Sequence, residues 1–374
     1  MVSGLKNVFS KKTKGIGVEL TSDRINLARL KKKGQGFQLA TLASAEVPEG
    51  IFQEGQIMDS AAMAEIIQAV LAETKLKVKH VATAIPSGRD TVTRIIPVPA
   101  ELDDRELREM VLNQEAGLYL PFPREEADVD YQKLGFFVDE DGIEKVQVLL
   151  VATRKDVTDS YIETFRQAGL AVDVLEISSF SLIRTIRQQL RQFTPQEAAA
   201  IVDIQFENTE ISIVVDGVPQ FSRTVPIGTY QVQTALSRAM NMPPSRNTDL
   251  LQGMTIPVIP MDSMGTMPTN PTRGGINPGT AAMLRVLGEL ADELRRSIDF
   301  YHNQGENMEV AQLLLAGPGG AIGQLDEFFS QRLSLPASQV DPISAMSLET
   351  DQEIDPAQRV GLGVVLGLGL REAW

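Results

Sequence analysis

Two acids in this chain sit where an apolar strand gives way to a short polar turn. In GVELTSDRINLARL (Gly17–Leu30), Glu19 precedes Thr21, Ser22 and Asp23, and alternation resumes at Ile25, Leu27 and Leu30. In VDIQFENTEISIVVDG (Val202–Gly217), Asp203 precedes Gln205 to Asn208, and Thr209, Ile211 and Ile213 follow. A polar turn after such an acid can wrap phosphate oxygens or can be an ordinary hairpin. Glu19 and Asp203 lie 203 − 19 = 184 positions apart, close to half of the 374-residue chain, which points to paired lobes of similar build. A third feature is the loop Ala316–Gly320 after the strand-like run Val310–Leu315, where backbone N–H groups near a helix start suit a phosphate or nucleotide.

Other chemistries are excluded. The chain has no cysteine, so disulfides, thiolate nucleophiles and Cys-based metal sites are out. Its 2 histidines, His80 and His302, are too few and too far apart for a Ser-His-Asp hydrolase or a multi-His metal site. No GxxxxGK[ST] occurs, and Gly317, Gly319 and Gly323 miss the GxGxxG spacing of a dinucleotide site. A net charge of −14 disfavours nucleic acid. No apolar run approaches membrane-spanning length and the N-terminus lacks the apolar core of a secretory signal, so a cytoplasmic protein is expected. Between Glu101 and Asp141 there are 13 acids against 4 bases, whereas residues 1–14 carry Lys6, Lys11, Lys12 and Lys14 and no acid. A solvated acidic face and a loose basic tail account for this. A basic partner on the acidic region, and an anionic membrane surface for the tail, account for it equally.

The elements that must position these residues follow from periodicity. Gly15–Leu30 and Phe37–Val47 alternate as half-buried strands, and Asp59 caps a helix to Lys75 with Met63, Ile66, Ile67 and Val70 on one face. From Thr91 to Ile177 the order is strand, helix (Asp104–Leu120, stopped by Pro121), a hairpin across Asp139–Gly142, helix (Lys155–Ala168) and strand, an inserted α+β unit. A helix Ser179–Arg191 follows. Residues 241–280 are rich in Pro, Gly, Asn and Met and read as a flexible insertion. Thr280–Tyr301 is a long helix on which Glu293 and Arg296 stand one turn apart, an ordinary i,i+3 ion pair on its face value. The final RVGLGVVLGLGLRE carries glycines at 361, 363, 367 and 369 that allow close packing against a neighbour.

Taken with LREMVLNQEAGLYLPFPREEADVDYQKLG, VLLVATRKDVTDSYIETFRQAGLAVDVLEISSFSLIR, LADELRRSIDFYHNQ and PAQRVGLGVVLGLGLRE, this set resembles the actin-like ATPase superfamily and, within it, the PilM family of type IV pilus assembly proteins, which is related to FtsA. The resemblance implies an α/β, two-lobed actin-like ATPase fold with RNase H-like sheets and an inserted α+β 1C subdomain. It divides the chain into 1A (1–90), 1C (91–177), a return to 1A (178–195), 2A (196–230), 2B (231–305, with the insertion 241–280), 2A again (306–340) and a closing helix on 1A (341–374). It implies a cytoplasmic adaptor at the inner-membrane face that holds the N-terminal tail of PilN between 1A and 1C and joins the alignment complex to pilus motor ATPases or the platform protein.

For the cofactors it implies ATP and Mg²⁺. Glu19 and Asp203 would hold the metal through water, Thr21, Ser22, Gln205 and Thr209 would line the phosphates, Gly317, Gly319 and Gly320 the adenosine, and Glu293 and Arg296 the ribose. Glu19 for Asp, and Thr21 and Gln205 for glycines, depart from the superfamily pattern, so binding with little or no hydrolysis is expected. The alternatives are an actin-like small-molecule kinase and an FtsA-like filament protein.

Overall fold

The computed structural model describes residues 16–257, 277–304 and 308–373. Its first sheet runs β10 (Ala171–Ile177), β6 (His80–Ile85), β1 (Ile16–Leu20), β2 (Arg24–Lys33), β3 (Gly36–Glu46) and β16 (Glu349–Thr350). The second runs β13 (Val218–Val225), β12 (Thr209–Val215), β11 (Glu197–Ile204), β14 (Glu309–Ala316) and β15 (Ala337–Gln339). In each, a central strand pairs antiparallel with the next strand in sequence and parallel with a later one: β1 with β2 and β6, β11 with β12 and β14. The two lobes therefore repeat one topology, as the half-chain spacing of the two acids suggested.

Each lobe has its own core. In the first, Ile16, Val18 and Leu20 pack with Met63 and Ile67 of α1 (Ser60–Glu73), whose N-terminus is capped by the Asp59 carboxylate accepting from Ala62 N–H at 3.0 Å. A two-residue ribbon, β4 (Phe52–Gln53) with β5 (Gln56–Ile57), lies beside it. In the second lobe, Leu287, Leu290 and Leu294 of α9 (Pro278–His302) pack on Leu313 and Leu315. A third, separate core belongs to the antiparallel sheet β7 (Thr91–Pro99), β9 (Glu144–Arg154) and β8 (Ala127–Val138), in that order. There Ile96, Val98, Val148 and Leu150 cover Leu107 of α2 (Asp104–Met110).

Four expectations need correction. The helix after Asp104 is not uniform: α2 passes through a π-helical turn at 111–115 into α3 (Ala116–Tyr119). The expected unit 91–177 is divided, because α4 (Lys155–Gln167) places Tyr161 and Phe165 in the first-lobe core and β10 pairs parallel with β6. The helix expected at Ser179–Arg191 is two, α5 (Ser178–Thr185) and α6 (Arg187–Leu190). Finally, residues 241–257 are folded. After α7 (Thr229–Ala239), α8 (Asp249–Gln252) buries Leu251, and Ile256 is buried in the second-lobe core. The rest of the expected insertion, 258–276, lies outside the described residues.

The chain closes with α10 (Leu325–Leu333), α11 (Pro342–Ala345), α12 (Pro356–Arg359) and α13 (Gly363–Ala373). Helices α5 and α13 lie between the sheets, where Leu182, Ile183, Val364 and Leu368 meet Ala82 and Ala84 of β6 and Ile201 of β11. The late glycines are what permits this. A Cβ at 363 would stand 2.4 Å from Leu182 Cδ1, and one at 367 would stand 2.0 Å from the Ser181 carbonyl oxygen.

Candidate functional site

The two hairpin turns face each other across the lobes. Glu19 stands opposite Asn26 in its hairpin and Asp203 opposite Glu210 in its own, equivalent ladder positions. Glu19, Thr21, Ser22, Asp203, Gln205 and Glu210 line one cavity of about 40 Å³, together with Ser178 at the start of α5 and Val364 of α13. That volume holds a few water molecules and no nucleotide.

The first turn is built without glycine and without strain. None of Leu20 to Arg24 has a positive φ. The Thr21 hydroxyl takes the place of a special backbone: it donates to the Arg24 carbonyl at 2.9 Å and accepts from the Arg24 N–H at 3.2 Å. Thr21 is thus consumed inside the turn and is not a group aimed at the cavity. Gln205 also has ordinary backbone, and its amide donates to Asp203 Oδ1 at 2.8 Å. The second turn is pinned from behind by α7, whose Thr229 and Tyr230 N–H groups donate to the Gln205 and Phe206 carbonyls at 2.9 and 3.0 Å.

The electrostatics of the cavity are acidic. Burial pushes the Glu19 carboxyl up to about 8, against a hydrogen bond from Asn26 that pulls it down, and burial pushes Asp203 up to about 7. No lysine or arginine lines the cavity. A further acid of the lining, Glu210, is a hub that accepts from Ser87 at 2.5 Å, Ser222 at 3.1 Å, Ser212 at 3.2 Å and Ser178 at 3.3 Å. Sequence reading missed Glu210, although an acid among Ile211, Ile213 and Val214 on a buried strand is a visible anomaly.

The glycine loop joins this site from the second lobe. Gly317 has φ 74°, and a Cβ there would fall 2.4 Å from Asp203 Oδ1; one at Gly319 would fall 2.3 Å from Ile204 Cγ2. Gly320 is packed against Val360 and Leu315. Thr209 is buried and spends its hydroxyl on the Ile227 carbonyl at 2.6 Å. Glu293 and Arg296 are not brought here. They pair with each other at 2.5 Å, and Glu293 also holds Arg223 of edge strand β13 at 3.0 Å. The face of α9 that carries this pair is turned toward β13, two strands away from β11, and not toward the hairpin cavity.

Residues 241–257 supply a latch that sequence reading also missed. Arg246 donates to the Ser22 carbonyl at 2.8 Å and stacks over the Phe206 ring at 4.9 Å, while Asp249 pairs with Arg24 at 2.7 Å. Second-lobe side chains thereby hold the first-lobe turn. Arg246→Ala is expected to speed hydrogen exchange at the Ser22 and Asp23 amides at least fivefold with little change elsewhere, since it removes a charge-assisted hydrogen bond worth about 1.5 kcal/mol or more.

Comparison with known proteins gives this architecture a family. A family model described as type IV pilus assembly protein PilM matches residues 17–249. The fold superposes on a PilM-PilN type IV pilus biogenesis complex with TM-score 0.78 and 26% identity, covering 97% of this chain and 99% of that one. The ethanolamine utilization protein EutJ from Carboxydothermus hydrogenoformans is similar in fold at TM-score 0.52 and 12% identity, over 95% of this chain and 89% of that one. Cell division protein FtsA of Borreliella burgdorferi is 22% identical over 234 residues, 59% of this chain, and the chain spans about half (54%) of that curated relative. Two lobes of repeated topology, each ending its central hairpin in an acid beside one cleft, form the actin-like ATPase fold. With the family model covering well over half of its length, the chain belongs to the type IV pilus assembly protein PilM family.

Proposed function

We propose that the chain is an adaptor of a type IV pilus assembly machine. It binds the N-terminal cytoplasmic tail of an inner-membrane PilN protein between the first lobe and the β7–β9–β8 unit, and links that protein to cytoplasmic motors. The observation that carries this reading is the near full-length likeness to a PilM-PilN complex. No helix among the described residues is long and apolar enough to cross a membrane, and the proposed attachment to the inner membrane is through the partner.

The cleft fits Mg-ATP in its chemistry but not in its present width. Glu19 and Asp203 are buried carboxyls that burial raises to about 8 and about 7, and either would give up its proton to a divalent cation held through water. The glycines let the loop pack directly on Asp203 and Ile204, which brings its backbone beside the acid at the end of β11. When bound, Mg²⁺ would supply the positive charge that the lining lacks. Ser22 and Gln205, at the two turns, would face the phosphates after the lobes open. Since Thr21 is tied into its turn and Gln205 to Asp203, neither is placed to orient a water, which supports binding with negligible turnover.

Calorimetry of Mg-ATP and of a synthetic PilN tail, each with and without the other, tests both halves. Tail binding is expected in each case, weakened by salt if the acidic surface contributes. Any effect of ATP on tail affinity must be returned in equal measure. Phosphate release is expected at background level. Release abolished by Asp203→Ala would overturn the turnover claim. No tail binding together with sugar phosphorylation would favour a small-molecule kinase.

A further inference from the structure

A second groove, of about 480 Å³, opens between β7 and β13 on the far side of the Ser87–Thr91 turn. Arg89, Arg94 and Arg223 line it with Ser87, Thr93 and Tyr119, and no carboxylate does. In a chain of net charge −14 this is a local reversal of sign. Arg94 makes no ion pair among the described residues, and Arg89 is 77% exposed with Asp90 no nearer than 3.8 Å. Arg223 is engaged more closely, by Glu293 at 3.0 Å.

Among the described residues, both walls are unpaired sheet edges. β7 ends the order β7-β9-β8, and β13 ends the second sheet. Arg154 N–H donates to the Asp90 carbonyl at 3.1 Å, and these residues continue the β7–β9 register. That bond fixes the phase: even-numbered residues of β7 exchange hydrogen bonds with β9, and the N–H and C=O groups of Thr93 and Ile95 face outward. Pro97 and Pro99 fall in the outward phase. They remove two donors and guard the outer half of this edge against stray pairing. The inner half, at Thr93 and Ile95, carries no such guard and adjoins the arginines.

We propose that this groove seats an extended acidic segment of a partner protein as an added strand on β7, its carboxylates meeting Arg89 and Arg94. Thr224 Oγ1 donates to the Ser87 carbonyl at 3.1 Å and closes the inner end, so the segment runs outward along β7 until the prolines stop it. Its two walls belong to different bodies, the small unit and the second lobe, so an occupied groove resists their separation. This surface is additional to the PilN tail of the reading above and does not depend on it.

Fluorescence anisotropy with the full chain tests the proposal, using labelled peptides (Glu-Val)5 and (Lys-Val)5 as strand probes of opposite charge. The acidic probe is expected to bind at least tenfold tighter. Thr93→Pro imitates Pro97 in the outward phase, leaves the β7–β9 ladder whole, and should cost at least tenfold in binding with the melting temperature nearly kept. The exposed Arg94→Glu provides a second variant that should reduce or invert the charge preference. Amide exchange should slow at Thr93 and Ile95 when the acidic probe binds. Equal affinity for both probes, no binding of either, or unaltered binding by both variants would overturn the proposal. So would a nucleoside triphosphate that displaces the acidic probe and loses affinity on Arg94→Glu but not on Thr93→Pro, since a small anion needs no strand edge.

Discussion

Glu19→Gln is expected to match the wild type in stability at pH 5 and to exceed it at pH 8.5 by on the order of 3 kcal/mol. The folded-state carboxyl of Glu19 sits at about 8 against 4.5 in an unfolded chain, so between those values the folded protein binds the extra proton. Stability that depends on a proton bound only in the folded state falls as pH rises. Its contribution is whole below pH 4.5 and is lost as pH climbs through about 8. Asp203, raised to about 7, adds a second loss in the same direction that begins near 3.8 and is complete once pH has risen past about 7. The variant keeps the amide oxygen that Asn26 Nδ2 reaches at 3.0 Å, so only the ionisation is removed. Urea titrations from pH 5 to 9 should show a wild-type midpoint that declines and a Glu19→Gln midpoint that declines less and levels off earlier. Parallel curves would show that Glu19 ionises as freely in the fold as outside it. The usual case of acid-labile carboxylate pairs gives the opposite slope, so the sign alone decides.

How much of this was legible in the chain differs by feature. The repeated lobe topology was readable because each hairpin announces itself locally, by period-two alternation ending at an acid and a polar turn. The late glycines were readable as packing residues because nothing else explains four of them in an apolar helix. What the absence of turn glycines meant was not readable: Thr21 supplies by a side-chain hydrogen bond what glycine supplies by conformation, and only coordinates show that hydroxyl turned inward. Composition misled at 241–257, where Pro243, Pro244 and Asn247 hid Arg246, Asp249, Leu251 and Ile256, each of which acts through a partner distant in sequence. Spacing gave the Glu293–Arg296 ion pair that the structure shows, and could say nothing of what that face of the helix meets. An i,i+3 pair on a helix looks the same whether the helix faces a ligand or an edge strand, and the register of α9 on its sheet is a tertiary fact.

Gly367→Ala is expected to destabilise the protein by about 3 kcal/mol, although alanine is favoured over glycine inside a helix by about 1 kcal/mol. The two effects have opposite signs, and contact decides which wins. A Cβ at 367 would lie 2.0 Å from the Ser181 oxygen and 2.6 Å from its carbonyl carbon, both backbone atoms that no rotamer change can move. Relief requires α13 to draw back from α5. That strains the hydrogen bond from Thr185 Oγ1 to the Gly363 carbonyl at 2.7 Å and the one from Arg184 Nη1 to the Gly367 carbonyl at 2.9 Å. The same movement opens the layer in which Leu182 and Leu368 meet both sheets. It also reaches the cleft, because Ser178 at the start of α5 and Val364 of α13 line the hairpin cavity. Under the proposed reading of the cleft as an Mg-ATP site, the variant should therefore alter nucleotide affinity as well as stability, and by a route that touches neither acid. Gly117→Ala is the control: it sits in α3 with nothing within 4 Å of its added carbon, and should gain a few tenths of a kcal/mol. Denaturant melts of the two variants, with opposite shifts expected from one chemical change, separate intrinsic helix preference from close packing at the seam between the sheets.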